Sequence, residues 1–319
     1  PDPPLRIYAS RETHTWLQKA ADLSGLGTEA VRWIPADAGQ RLDVEALVRQ
    51  LDADRARGDV PLMVVGTAGT VSTGAVDPLR AIARVCRERG IWFHVDGAYG
   101  GFAAALPDAP DDLHALAEAD SVAVDPHKWL YAPLEVGCCL VRQPDALRAA
   151  FSFHPPYYHF DESVVNFFDF GPQNSRGFRA LKVWLALQQA GASGYRAMIA
   201  HDIALARLLG DVLAARPDFE VHSVALSITT FRYVPVDLRA RQDEPGVQDY
   251  LDTLNRALLD ASQAGGDVFV SNAVTRGRYL LRACLVNFNT HASDVRAVPD
   301  LLASVGRRLD VERRPASFT

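Results

Sequence analysis

The sequence predicts an α/β fold in which a mixed, mostly parallel sheet is flanked by helices and followed by a smaller C-terminal α/β domain. Three observations carry that expectation. Short β-rich runs alternate with amphipathic helical stretches from Leu5 to about Val141, the pattern of successive βα units. After Arg176 the rhythm changes to long helices and a separate group of strands. The chain has 319 residues, enough for about two domains at roughly 150 residues each.

In chain order, strands are expected at Arg6–Ala9, Val31–Ile34, Leu62–Thr67, Ile91–Asp96, Ser121–Asp125 and Gly137–Val141. Helices are expected between them at Thr15–Leu23, Val44–Arg57, Leu79–Arg89 and Leu113–Glu118. The helix at Leu79 has a defined start: Asp77 can cap it, and Pro78 fills the first helical position, where a missing N–H costs nothing. From Phe151 to Ser175 periodicity is lost among prolines and aromatics, and long aperiodic loops inside compact domains tend to carry function. Helices at Phe178–Gln189 and Tyr195–Arg216 follow, then a strand at Ser227–Tyr233 and a helix at Val247–Ala264. A strand pair at Val268–Ala273 and Tyr279–Leu285 and a helix at Ala292–Leu309 close the chain. The change of rhythm places a domain boundary near Ala192, dividing the chain into 1–192 and 193–319.

Composition narrows the function classes. Hydrophobic residues make up 48% and charged residues 23%, a globular balance. Net charge is −6 and basic residues form no long run, so nucleic acid is not an expected partner. No apolar stretch approaches the ~20 residues needed to span a bilayer, so no membrane is expected either. The four cysteines, Cys86, Cys138, Cys139 and Cys284, match neither a secreted disulfide framework nor a zinc site, which makes a reducing cytoplasm the expected compartment. The opening Pro1-Asp2-Pro3-Pro4 lacks an initiator Met and a signal-peptide pattern, so the gene product is expected to begin earlier.

Two strand ends hold the candidate chemistry. The first, Ile91-Trp92-Phe93-His94-Val95-Asp96-Gly97-Ala98, ends in a carboxylate followed by small residues, and alternation puts Trp92, His94 and Asp96 on one face. Taken alone, Asp96 would be a cap or half of an ion pair, since an unpaired buried charge is costly. The second, Ser121-Val122-Ala123-Val124-Asp125-Pro126-His127-Lys128-Trp129, delivers Lys128 just past an apolar run. A surface lysine is the ordinary alternative, but a partly desolvated one is a nucleophilic amine able to form a Schiff base. An amine and an acid at neighbouring strand ends suggest pyridoxal phosphate, whose aldehyde bonds the lysine while the carboxylate keeps its ring nitrogen protonated. A metal hydrolase built on His94, Asp96 and His127 is a rival, but no further cluster has ligand spacing, and no metal is expected.

These two motifs, together with Thr13-His14, Gly66-Thr67-Ala68-Gly69-Thr70, Ser175-Arg176, Arg179-Ala180-Leu181-Lys182-Val183-Trp184 and Leu281-Arg282-Ala283-Cys284, resemble the group II pyridoxal-phosphate-dependent amino-acid decarboxylases. That is the aromatic-L-amino-acid decarboxylase family, and the resemblance runs over nearly the whole chain. It implies a pyridoxal-phosphate transferase-like fold (fold type I), with 1–192 as the C-terminal part of the cofactor-binding domain and a mobile catalytic loop near 151–175. It implies that Lys128 bonds the cofactor, Asp96 partners its ring nitrogen, Ala98 lets the ring lie close, and His14 stacks on the other face. His127, Asp125 and Thr70 are implied near the phosphate or beside the cofactor. Asp125 stands where many members carry Asn, and a carboxylate there is repelled by phosphate unless turned to other donors.

By the same resemblance, Tyr157 is the loop tyrosine that returns a proton to the α-carbon after carbon dioxide leaves, with Tyr158 one residue away. Related aldehyde synthases tend to carry Phe there, so Tyr157 favours simple decarboxylation of an L-amino acid, an aromatic one among the candidates, to its amine. An aldehyde synthase and a non-catalytic, partner-dependent subunit are the alternatives. Val71 replaces a family Thr, Gly177 replaces an Arg, and the Gly/Ser-rich phosphate cup that precedes the His14 segment in the family is absent from these residues. A homodimer and a separate N-terminal chain or segment are the partners implied.

Overall fold

The computed structural model describes residues 3–154 and 164–318. The first half alternates as the sequence predicts: β1 (Leu5–Ser10), α1 (Trp16–Leu23), β2 (Val31–Ile34), α2 (Val44–Ala56), β3 (Val60–Thr67), α3 (Leu79–Arg89) and β4 (Trp92–Asp96). Then come α4 (Asp111–His114), β5 (Ser121–Val124), α5 (Pro126–Trp129), β6 (Cys138–Val141) and α6 (Pro144–Phe151). The six strands form one sheet in the order β2-β1-β3-β4-β5-β6, parallel throughout except for the antiparallel β5–β6 pair. Buried runs such as Val64-Val65 and Phe93 with Val95 reflect a sheet covered on both faces.

Helix α3 shows how local chemistry builds this layer. Leu79, Ile82, Ala83 and Cys86 recur at helical spacing and are buried, each large side chain contributing roughly 1.5–3 kcal/mol. Gly90, left-handed at φ 64°, closes the helix, where a side chain would be strained. The start differs from expectation. Pro78, not Asp77, occupies the capping position, and no side chain caps the helix.

Asp77 is instead fully buried, and its carboxylate accepts from Leu42 N at 2.7 Å and Thr67 N at 2.8 Å, tying the end of β3 to the approach of α2. Burial pushes this carboxyl up to about 6. The unfolded chain ionises near pH 4, so the folded state holds the proton more tightly. Its contribution to stability is therefore greatest below about pH 4 and declines as pH rises through about 6. Urea unfolding midpoints of the wild type and Asp77→Asn should diverge across that window; parallel curves would show that Asp77 does not titrate there.

The second half contains α7 (Arg179–Ala214), β7 (Phe219–Ala225), β8 (Ile228–Tyr233), α8 (Val247–Gly265), β9 (Ser271–Thr275), β10 (Arg278–Cys284) and α9 (Ala292–Arg313). Its strands form an antiparallel sheet, β7-β8-β10-β9, over a core of residues such as Leu209, Phe219, Phe231, Leu254 and Leu302. Several expectations need correction. Strand β7 and helix α6 were not anticipated; the two helices expected after Arg176 follow one another within Arg179–Ala214 and are separated by a kink at non-helical Gly191 (φ 63°, ψ 175°). Strand β9 starts later than Val268, at Ser271, which pairs with Arg282, and it joins β10 through the two-residue turn Arg276-Gly277, both with positive φ. The expected helix 113–118 is α4 followed by a 3-10 turn.

The hairpin β7–β8 reaches over the first sheet. At its tip Ser227 exchanges hydrogen bonds with the Tyr99 hydroxyl (Oγ 2.7 Å, N 2.9 Å). Leu226 packs beside Gly69, where a Cβ would come within 2.7 Å of the Tyr99 ring and 3.1 Å of Leu226. Among the described residues no helix is long and apolar enough to cross a membrane.

Candidate active site

The strand order reverses between β1 and β3, since β1 connects outward to β2 while later strands add on the other side. Ligands bind outside the carboxyl ends of strands at such a reversal. Thr13, just past β1, and Thr67, ending β3, meet there with hydroxyls 3.1 Å apart. Next to them opens a cavity of about 620 Å³ lined by His14, Asp96, Ala98, His127 and Lys128, residues from three separate stretches of sequence.

Asp96 ends β4, half-buried, and its Oδ1 accepts from Ala98 N at 3.1 Å. Ala98 in turn offers its carbonyl to Asp125 N at 3.2 Å, which joins the two motif-bearing strand ends. Lys128 lies in the short turn α5, two-fifths exposed, with Nζ 2.9 Å from Asp125 Oδ2. Asp125 is thus turned toward the amine and is not among the cavity-lining side chains. His127 Nδ1 lies 2.6 Å from the Val136 carbonyl and 3.2 Å from Val136 N; the shorter contact puts the proton on Nδ1. His14 Nδ1 accepts from Trp16 N at 3.0 Å, which leaves the proton on Nε2.

Thr70 is placed differently from expectation. It is fully buried, with its hydroxyl 3.0 Å from that of Thr73 and accepting from Ala75 N, so it fixes a turn, while its neighbour Val71 lines the cavity. Tyr157 and Tyr158 lie outside the described residues. The segment before them is tied down by buried Asp169, which accepts from His154 Nε2 at 2.8 Å and Ser152 Oγ at 3.2 Å. His94 bonds Ser121 on the neighbouring strand (2.8 Å), burial keeps its pKa low, and it does not line the cavity. Among the described residues no group of three or more His, Cys, Asp or Glu side chains could hold a metal ion.

Sequence reasoning missed part of the wall. Tyr99, Tyr131, Arg282, Asn287 and Phe288 also line the cavity. Arg282 was the legible one: a guanidinium on the apolar strand β10 demands a partner. Its Nη1 donates to Ser271 Oγ at 3.2 Å, whereas its buried Nε has no hydrogen-bond partner among the described residues. Tyr131 and Phe288 meet edge to face at 5.3 Å, and Tyr99 stacks on buried Trp129 at 4.8 Å.

A pyridoxal ring fits this donor set. The amine answers its aldehyde, the Asp96 carboxylate its ring nitrogen, and small Ala98 and an imidazole leave room for a flat ring. The fold and site together place a lysine amine and a carboxylate at neighbouring strand ends of an open sheet, over one cavity. The family model of the pyridoxal-dependent decarboxylase conserved domain matches residues 3–234, and the chain belongs to that family. It is 34% identical to an aromatic-L-amino-acid decarboxylase of Bacillus atrophaeus over 91% of this chain and 60% of that protein. It is 33% identical to a phenylacetaldehyde synthase of a Rosa hybrid cultivar over 88% of this chain and 56% of that one. The crystal structure of Oryza sativa TDC with PLP and tryptamine superposes with a TM-score of 0.88 at 29% identity, over 96% of this chain and 63% of that chain. The chain therefore spans about three fifths of the length of these relatives.

Proposed function

We propose that the chain carries the pyridoxal-phosphate site of an L-amino-acid decarboxylase, which releases carbon dioxide and leaves the amine. The observation that carries this is the pairing of Lys128 and Asp96 at adjacent strand ends over one cavity. When bound, pyridoxal phosphate supplies a cationic ring that accepts the electrons released as the carboxylate departs. Lys128 offers the amine that would bond the aldehyde, and Asp125, at 2.9 Å, holds that amine in place as its ion-pair partner. Asp96 holds the ring nitrogen charged. His14, with its proton on Nε2, covers the ring and touches the substrate. Arg282, a cation in the cavity wall, draws the substrate carboxylate. Tyr157 returns the proton to the α-carbon.

The aromatic lining, Tyr99, Tyr131 and Phe288, supports an aromatic side chain on the substrate. The division at 192–193 into a cofactor-bearing part and a smaller domain is supported by the break at Gly191 and by the separate second sheet. A homodimer, or an added N-terminal segment, is supported by the exposed apolar residues Phe178, Leu181, Trp184 and Leu185 at the start of α7.

An aldehyde synthase is the second reading, favoured by the likeness to the Rosa enzyme at nearly the same identity. Carbon dioxide release from a panel of L-amino acids, with parallel assays for amine, aldehyde and hydrogen peroxide, tests both. Amine in step with carbon dioxide from aromatic substrates is expected. Aldehyde with peroxide would establish the second reading, and no release from any amino acid would refute both.

A further inference from the structure

We propose that Asp202, on α7, is a positioning residue that sets the turn carrying Lys128. This rests on the assignment of Lys128 as the cofactor-bonding amine. The three residues after Lys128 are all held by one helix. Tyr195 Oη donates to the Leu130 carbonyl at 3.0 Å, and Asp202 Oδ2 accepts from Trp129 Nε1 at 2.8 Å and from Tyr131 Oη at 2.5 Å. Tyr195, Ile199 and Asp202 fall on one face of α7 at helical spacing, and all three are buried.

Two features show that the arrangement does more than fill space. Tyr131 has a left-handed backbone at φ 51°, a conformation that an aromatic residue keeps only where its surroundings hold it. Asp202 is a fully buried carboxylate that meets two donors with one oxygen while Oδ1 has no hydrogen-bond partner among the described residues, a placement that packing alone would not favour. Trp129 and Tyr131 are also the residues that carry the turn into the cavity wall, Trp129 through its stack on Tyr99 and Tyr131 through its edge against Phe288. Releasing them frees the turn and lets the lysine amine drift from its bonding position.

The test titrates the intact wild-type protein and the variants Asp202→Asn, Asp202→Leu, Tyr131→Phe and Lys128→Ala with pyridoxal phosphate. It follows the visible absorbance, its pH dependence and the induced circular dichroism, with thermal unfolding of the cofactor-free proteins recorded beside them. Asp202→Leu should bind the cofactor about ten- to a hundredfold more weakly, the order lost when a reacting group is misplaced by about an ångström, and with an altered dichroic band. Asp202→Asn, which keeps an acceptor oxygen, should restore most of both, and Tyr131→Phe should fall between. Wild-type affinity, band and pH profile in Asp202→Leu, with only a lower unfolding midpoint, would overturn the proposal. If Asp202→Leu does not fold, an unchanged band and affinity in Tyr131→Phe would overturn it equally. Loss of the band in Lys128→Ala alone would leave the decarboxylase assignment standing and reject the role of Asp202. Retention of the band in Lys128→Ala would remove both.

Discussion

Replacing Lys128 with alanine should lower carbon dioxide release by more than about 10³-fold, the order lost when a nucleophile that acts within a catalytic unit is removed. The same change should leave the fold nearly untouched. The Lys128 side chain is two-fifths exposed, it pairs with Asp125, and neither belongs to the core. A stability change within about 0.5 kcal/mol is expected for such a site. Rate and unfolding midpoint measured on the same preparation separate a lost amine from a lost fold, and a large drop in both would mean that Lys128 is structural.

Asp96→Asn should reduce the rate by about 10²–10³-fold, comparable to removing one preorganised group that stabilises developing charge. The substitution keeps an oxygen for Ala98 N and the shape of the strand end, so the fold should persist. What it removes is the negative charge that, in the function proposed above, would keep the cofactor's ring nitrogen protonated. The loss should appear mainly in kcat, because the charge matters most as electrons flow into the ring. A change confined to KM would instead place Asp96 in substrate binding.

Much of the first sheet was legible because buried parallel strands read as apolar runs and α3 repeats its buried positions every three to four residues. The strand-end acid and amine were legible for the same reason: a polar residue closing an apolar run is conspicuous. What stayed hidden was set by tertiary contact. β7 alternates along Phe219-Glu220-Val221-His222, but it is joined to β8 by Leu226-Ser227, a turn with no Gly or Asn to mark it. The proline signal at Pro78 made Asp77 look like a cap, whereas its carboxylate bonds backbone from β3 and from a loop 35 residues earlier in the chain. Tyr131 and Phe288 are far apart in sequence, and no local pattern announces that they share a wall. Thr70 lay in a matching motif, yet the Thr73 hydroxyl claims it for the turn.

The most direct measurement is borohydride reduction of the intact protein loaded with pyridoxal phosphate, followed by proteolysis and mass mapping of the labelled peptide. The account predicts a single stable adduct on Lys128, absent from Lys128→Ala. An adduct on another lysine, or none at all while the cofactor is bound, would contradict it.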